Sequence, residues 1–389
     1  MAYRRHYWER SAKRACKVLV DDGKKEERLV EEEQQDREDT SLLIYKLGRD
    51  MSITCLLRCS RSEYGRIASI NRGFRSVISS GEIYKIRRQM GIIEHWVYFS
   101  CSLVEWDAFD PRSNHWMRLP VMTSNECFMS SDKESLGVGT ELLVFGMETL
   151  SQIIYRYSLL DNKWSSGMQL NTPRFLFGSA SVGGIAILAG GCNADGKLLR
   201  SAELYNCDTG KWVNLPRMNK ARKLCSAVFV DGKFYVIGGM GPGYTALTCG
   251  EEYDMKTQTW REIPNMYPRR KEEEVRNAAV EAPPLIAVVN NVLYSADYTR
   301  CEVRRYDKAT NSWVVLGQLP ERVVSTDGWG VAFRACGDRI LVLGGARAYG
   351  GRYVEIYSWT PGEGGELKWK VLATRQLGHF VYNCAVMGC

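Results

Sequence analysis

The chain has 389 residues, 45% of them hydrophobic and 11 of them Trp, enough for one large core and a small extra domain. A formal net charge of +7 spread over that length is too mild to form a nucleic-acid footprint, and no apolar run reaches membrane or signal-peptide length. Thirteen cysteines lack a framework spacing, and Cys55 and Cys59 have no partner His, so neither a disulfide scaffold nor a zinc site is expected. The reading is an intracellular protein with reduced thiols, in the nucleus and/or cytoplasm, that binds neither membrane nor nucleic acid.

Residues 1–20 scatter Arg4, Arg5, Arg10, Lys13, Arg14 and Lys17 among aromatics, either a weak nuclear-import patch or a solvated start. Residues 21–39 hold ten acids against four bases. Such a run repels itself and has little apolar surface to bury, so 1–41 reads as a disordered tail and acidic linker.

From 42 the character changes. Ile53, Leu56 and Leu57, then Ile67, Ile70, Phe74, Val77 and Ile78, follow helical spacing, with a polar turn at Ser60-Arg61-Ser62. Some 40 residues of short helix make a small core, so a partner is expected. The order Leu42-Leu43-Ile44, Leu47, Asp50, Leu56-Leu57, Ser60-Arg61-Ser62 and Phe74-Arg75-Ser76 resembles an F-box. It departs from that pattern where Leu47-Gly48 stands for a Leu-Pro pair and Ile70-Asn71…Phe74 for Val-Cys…Trp. The resemblance implies helices that bind the Skp-family adaptor of a cullin–RING ubiquitin ligase. Leu43, Ile44, Leu47, Asp50, Ile53, Leu56 and Leu57 would supply much of that surface. Residues 82–95 read as a basic amphipathic helix with a solvated Lys85/Arg87/Arg88 face, closing a helical domain at 42–91.

Beyond it one unit recurs. An aromatic is followed seven residues later by Trp in Phe109…Trp116, Tyr157…Trp164, Tyr205…Trp212, Tyr253…Trp260 and Tyr306…Trp313. Trp116, Trp164, Trp212 and Trp260 are 48 apart, and Trp313 and Trp369 follow after 53 and 56. A period near 50 residues is a repeat architecture. Within a period, an alternating segment such as Cys225–Val230 meets an Asp231-Gly232 turn, and a second strand ends in Gly238-Gly239. A variable loop then leads to the aromatic–Trp hairpin. Four antiparallel strands per unit, each burying its Trp against a neighbour, make a radial β-propeller.

The Gly pair, Tyr and Trp at these spacings resemble kelch repeats, and the whole of 42–389 resembles the plant F-box/kelch-repeat family. The resulting expectation is a mainly β fold, a six-bladed kelch-type propeller over 92–389 preceded by a small α-helical F-box-like domain. The blades fall at about 92–122, 135–172, 176–219, 224–266, 279–319 and 331–373. Blade one has only three strands, so the C-terminal strand near 379–386 should complete it.

No chemistry of catalysis stands out. Gly191–Lys197 nearly spells a phosphate loop, yet Leu198 follows where Ser or Thr is needed and no helix is expected. A copper radical oxidase on a kelch propeller would need clustered imidazoles, and the chain has only His6, His95, His115 and His379. No catalytic residue, metal or cofactor is therefore expected.

Kelch resemblance implies target binding on the rim formed by the loops after the Gly pairs and between blades. Those loops carry Arg174, Arg200, Arg222, Lys223, Tyr244, Arg269, Trp329, Arg347, Tyr349 and Arg352. Arg and Tyr favour interface anchoring, and an acidic or phosphorylated target surface would follow. Two readings result: the substrate-recognition adaptor of an SCF-type ligase, and a ligase-independent interaction scaffold.

Overall fold

A computed structural model describes residues 43–44, 47–149, 151–267, 281–323, 325–345, 353–362, 367–378 and 380–389. The tail and acidic linker read at 1–41 lie outside these residues. The chain divides into two compact units on either side of the Ile92–Ile93 bond.

The first unit is helical: α1 (Gly48–Arg58), a 3-10 turn (Arg61–Glu63), α2 (Tyr64–Ile67), α3 (Arg72–Ser79) and α4 (Glu82–Gln89). Leu43, Ile53, Leu56, Leu57, Tyr64, Phe74, Val77, Ile78, Ile83 and Tyr84 are buried. Asn71 caps α3, its Oδ1 accepting the Phe74 amide at 2.8 Å, while its Nδ2 donates to the Leu43 carbonyl at 2.9 Å. Ile70, read as part of the apolar face, is instead exposed, one residue before that cap. Arg87 is likewise not solvated. It is buried, donating to the carbonyls of Leu57 and Cys59 and to the Tyr64 hydroxyl at 3.4, 3.3 and 2.9 Å. The carbonyls left open at the end of α1 are thereby satisfied from α4.

The second unit is the expected propeller. Among the described residues, 24 strands form six four-stranded antiparallel sheets. The C-terminal strand Asn383–Gly388 pairs with His95–Ser100, in register Val97↔Val386, and so completes blade one. The first and last strands of the propeller are thereby held in one sheet. The core lies between blades. Leu143 and Phe145 of blade two pack with Ala186, Leu188 and Tyr205 of blade three. Across the closure, Val97, Phe99 and Phe109 pack with Leu341, Leu343 and Ile356 of blade six.

The aromatic–Trp spacing is a cross-strand register: Phe109↔Trp116, Tyr157↔Trp164, Tyr205↔Trp212, Tyr253↔Trp260 and Tyr306↔Trp313. Tyr205 and Tyr253 are fully buried, whereas their Trp partners on the outer strands are only half-buried. The Trp rings lie on the aromatic rings at 4.8 and 4.9 Å between centroids. Several indoles also reach back to the previous blade: Trp164, Trp260, Trp313 and Trp369 donate to the carbonyls of Pro120, Pro216, Met266 and Gln318. The buried tyrosines are the deeper hydrophobic payload, each of order 4–6 kcal/mol at ~25 cal/mol per Å². Blade six departs in its hairpin. Tyr357 opposes Val371, and Trp369 instead meets Trp359 edge-on at 6.2 Å.

The Asp231-Gly232 turn has φ of 49° and 71°, the paired positive angles of a two-residue hairpin that follows the strand twist. Gly238 and Gly239 also have positive φ, and a Cβ at Gly239 would meet the Lys223 carbonyl oxygen at 2.6 Å.

Candidate binding surfaces

In blades three and four, the loop after the Gly pair folds back on the inter-blade linker. Cys192 bridges to Phe175 and Leu198, and Met240 to Lys223 and Ala246. Within the first loop, Asn193 binds Gly196 and Lys197 in a tight turn, and no helix follows, as expected of an inter-strand loop.

This linkage is locked by ionic clamps built on two arginines expected on the rim. Arg174 and Arg222 are not rim contacts: both side chains have 0% exposure. Arg222 donates to the carbonyls of Gly238 and Cys249, each at 3.0 Å, and meets Glu251 at 2.9 Å. The Glu251 carboxylate also accepts the Asn219 and Lys220 amides at 2.6 and 2.9 Å. One blade earlier Arg174 bonds the carbonyls of Gly190 and Ser201 and meets Glu203 at 2.6 Å, and Glu203 holds the amides of Asn171 and Thr172. Each clamp ties a linker to the adjoining ends of its blade's two middle strands. Burial pulls the Arg174 pKa down, and Glu203 beside it pushes the other way.

The clamp varies round the ring. Blade one has Asp107 with Arg375 at 3.6 Å, and Arg375 also lies over the Trp116 ring at 4.5 Å. In blade five the acidic position is Arg304, held by Glu302 and Asp297 at 2.7 and 2.9 Å. In blade six Glu355 accepts the Tyr357 hydroxyl.

Of the remaining rim residues, Tyr244 is 67% exposed, with the Lys223 ammonium over its ring at 5.2 Å. Arg200 is exposed and donates to the Met218 carbonyl at 2.7 Å. Trp329 is half-buried, with the Lys133 ammonium 5.8 Å from its ring centre. The structure therefore brings Lys223 and Tyr244 together. Arg269, Arg347, Tyr349 and Arg352 lie outside the described residues.

In the helical unit, the expected adaptor surface divides. Leu43, Ile53, Leu56 and Leu57 are buried in the unit's own core, and α1 packs against α4. Ile44 is half-buried and Asp50 exposed. Leu47, the residue before α1, is 44% exposed, and within α1 Met51 is 55% exposed with the exposed Cys55 one turn on. Met51 was not among the expected residues, because helical spacing picks out the buried face. Gly48, which opens α1, has φ of +71°. Proline, fixed near −65°, cannot take that angle, so the departure from Leu-Pro changes how the helix is entered.

The Kelch motif model matches residues 173–219 and 221–267, the two blades with complete Arg–Glu clamps. The F-box/kelch-repeat protein At1g74510 of Arabidopsis thaliana is 57% identical over 89% of this chain and 79% of its own length. F-box/kelch-repeat protein SKIP11 of the same plant is 56% identical over 91% and 77%. The chain belongs to the plant F-box/kelch-repeat proteins. A third member, At3g27150 of Arabidopsis thaliana, is 37% identical over 89% of the chain. For an F-box/kelch-repeat protein, the four-stranded blades and the short helices before them are the two halves that the family name joins.

Proposed function

We propose that this F-box/kelch-repeat protein is a substrate-recognition adaptor of an SCF-type cullin–RING ubiquitin ligase. The helical unit binds a Skp-family adaptor, and the propeller rim holds the protein to be ubiquitinated. The observation that carries the reading is the exposure of Leu47, just before α1, and of Met51 and Cys55 on α1 in a chain of this family. Exposed apolar side chains on a unit this small are favoured to be covered by a partner. No catalytic residue is required, since the adaptor contributes proximity between target and conjugating enzyme. The family supports an interaction protein rather than an enzyme. On the rim, Tyr244 and Lys223 are the best-exposed anchor pair. We place this work in the nucleus or cytoplasm, where thiols stay reduced.

A ligase-independent scaffold is favoured by one observation, the Gly48 backbone angle that a family-type proline cannot adopt. Co-purification with a Skp-family adaptor separates the two. The full chain is expected to bind, and a Leu47→Asp, Met51→Asp variant, which leaves the helical core intact, is expected to lose binding at least tenfold. A folded chain that binds no adaptor establishes the scaffold instead.

A further inference from the structure

A groove of about 610 Å³ lies between blades four and five. That volume falls within the roughly 300–1,000 Å³ typical of small-ligand sites. The groove opens on the edge carrying the hairpin turns, since Asn291, Asp307, Lys308 and Asn311 line it. In antiparallel four-stranded blades that edge is opposite the Gly-pair loops. The lining also takes in Pro264 and Met266, at the start of the linker between blades four and five.

The floor is apolar: Val230, Ile263, Pro264, Met266, Val292 and Leu293. The register shows why the floor is low. Across blade four the row of facing residues runs Phe229, Phe234, Tyr253, Trp260. In blade five Val288 faces Leu293, and Tyr306 faces Trp313 in the hairpin beyond. Leu293 therefore stands where blade four has the Phe234 ring, and the groove opens over it. Tyr306 is only half-buried, whereas Tyr253 is fully buried.

The mouth is cationic. Three cations line the groove, Arg261, Arg305 and Lys308, against two carboxylates, Glu262 and Asp307. Glu262 is committed to Lys220 at 2.5 Å, and Asp307 accepts the Ala309 amide at 2.9 Å and also feels the Arg305 charge. Arg261 spends one nitrogen on Glu252 at 3.2 Å and remains largely exposed, and Lys308 meets Asp231 at 2.7 Å. Arg305 has no ion pair among the described residues. An apolar floor below cations with unused donors selects an amphipathic anion.

We propose that this groove binds a small apolar carboxylate, its ring or chain seated on Leu293, Met266 and Ile263 and its carboxylate against Arg261. The proposal is independent of adaptor binding by the helical unit.

The probe is 2-naphthoate, with neutral 2-naphthylmethanol as its comparison, titrated against the full chain by ligand-observed NMR. For a fragment of this size a Kd on the order of 1 mM or tighter is expected. Leu293→Phe, which places the blade-four ring in the groove, should weaken naphthoate at least tenfold. Arg261→Gln, which gives up one bond to Glu252 but leaves Lys233 and Tyr235 on that carboxylate, should weaken naphthoate by about tenfold and leave naphthylmethanol unchanged. Naphthoate binding that neither variant alters overturns the proposal, as does failure of naphthoate to bind the folded chain. Capture of an acidic peptide in its place, lost in Arg261→Gln, would reassign the groove to a protein partner and also overturn it.

Discussion

Arg222 and Glu251 meet at 2.9 Å with both side chains fully buried, and the pair recurs 48 residues earlier as Arg174 and Glu203 at 2.6 Å. The guanidinium takes the carbonyl of Gly238 at one strand end and of Cys249 at the next, while the carboxylate takes two amides of the linker. Removing one partner leaves a buried charge with its neighbours still arranged for it. Arg222→Ala should therefore destabilise the propeller by about 3–5 kcal/mol. The exposed Arg200→Ala, which gives up one bond to the Met218 carbonyl, should cost under about 1 kcal/mol. Urea unfolding followed by tryptophan fluorescence compares the two, and equal costs would refute the clamp.

These arginines show what was legible and what was not. The ring itself could be read, because an aromatic and a Trp seven residues apart are opposite ends of one hairpin register, as Tyr205↔Trp212 and Tyr253↔Trp260 confirm. Blade-one closure followed from the open edge that three strands leave. Arg174 and Arg222 were misplaced because an arginine in a loop ordinarily points to water, and only its carboxylate partner reverses that. The signal was present in the spacing: Arg174 to Arg222 and Glu203 to Glu251 are both 48 apart, the blade period. In the helical unit, 3.6-residue periodicity marks Leu56 and Leu57 correctly as one face. It does not by itself give the exposure of Leu47 and Met51 beside that face.

The outer tryptophans give a comparison within one fold. Trp260 donates its indole N–H to the Pro216 carbonyl at 2.8 Å, whereas the buried Trp212 indole nitrogen has no hydrogen-bond partner among the described residues. Both stack on a buried tyrosine at nearly the same distance, 4.9 and 4.8 Å. Phenylalanine removes the N–H at both positions and keeps a ring. Trp260→Phe should then cost about 1 kcal/mol more than Trp212→Phe, the usual net value of one hydrogen bond. Thermal unfolding of the two variants checks the order, and the reverse order would show that the inter-blade bond contributes nothing.

Thiol reactivity should follow burial. Desolvation pushes Cys336 up to about 12, and Cys225 and Cys384 each up to about 11. Thiolate is the reactive form, so these groups should be inert near neutral pH. Cys55, Cys127 and Cys301 are exposed. Brief treatment of the native chain with iodoacetamide, read by peptide mass spectrometry, should label those three and spare the buried set until denaturant is added. Early labelling of Cys225 would mean that the blade three–four core opens readily.

Glu252 makes the propeller acid-sensitive in a defined direction. Burial alone would raise its pKa, but Lys233, Tyr235 and Arg261 all bond the carboxylate and together hold it below the ordinary value of 4.5. Lys233 stands at 2.7 Å and Arg261 at 3.2 Å. A carboxylate depressed in the folded state contributes stability that is fully present above its unfolded pKa. That stability is lost as pH falls through the folded value. Glu252→Gln keeps an acceptor for Tyr235 and removes the titration. The wild-type chain should therefore lose more stability than Glu252→Gln between about pH 5 and pH 3. Above about pH 6 the stability difference between the two should no longer depend on pH. Urea midpoints measured across that range decide the matter, and parallel acid losses in both chains would remove Glu252 as the sensitive group.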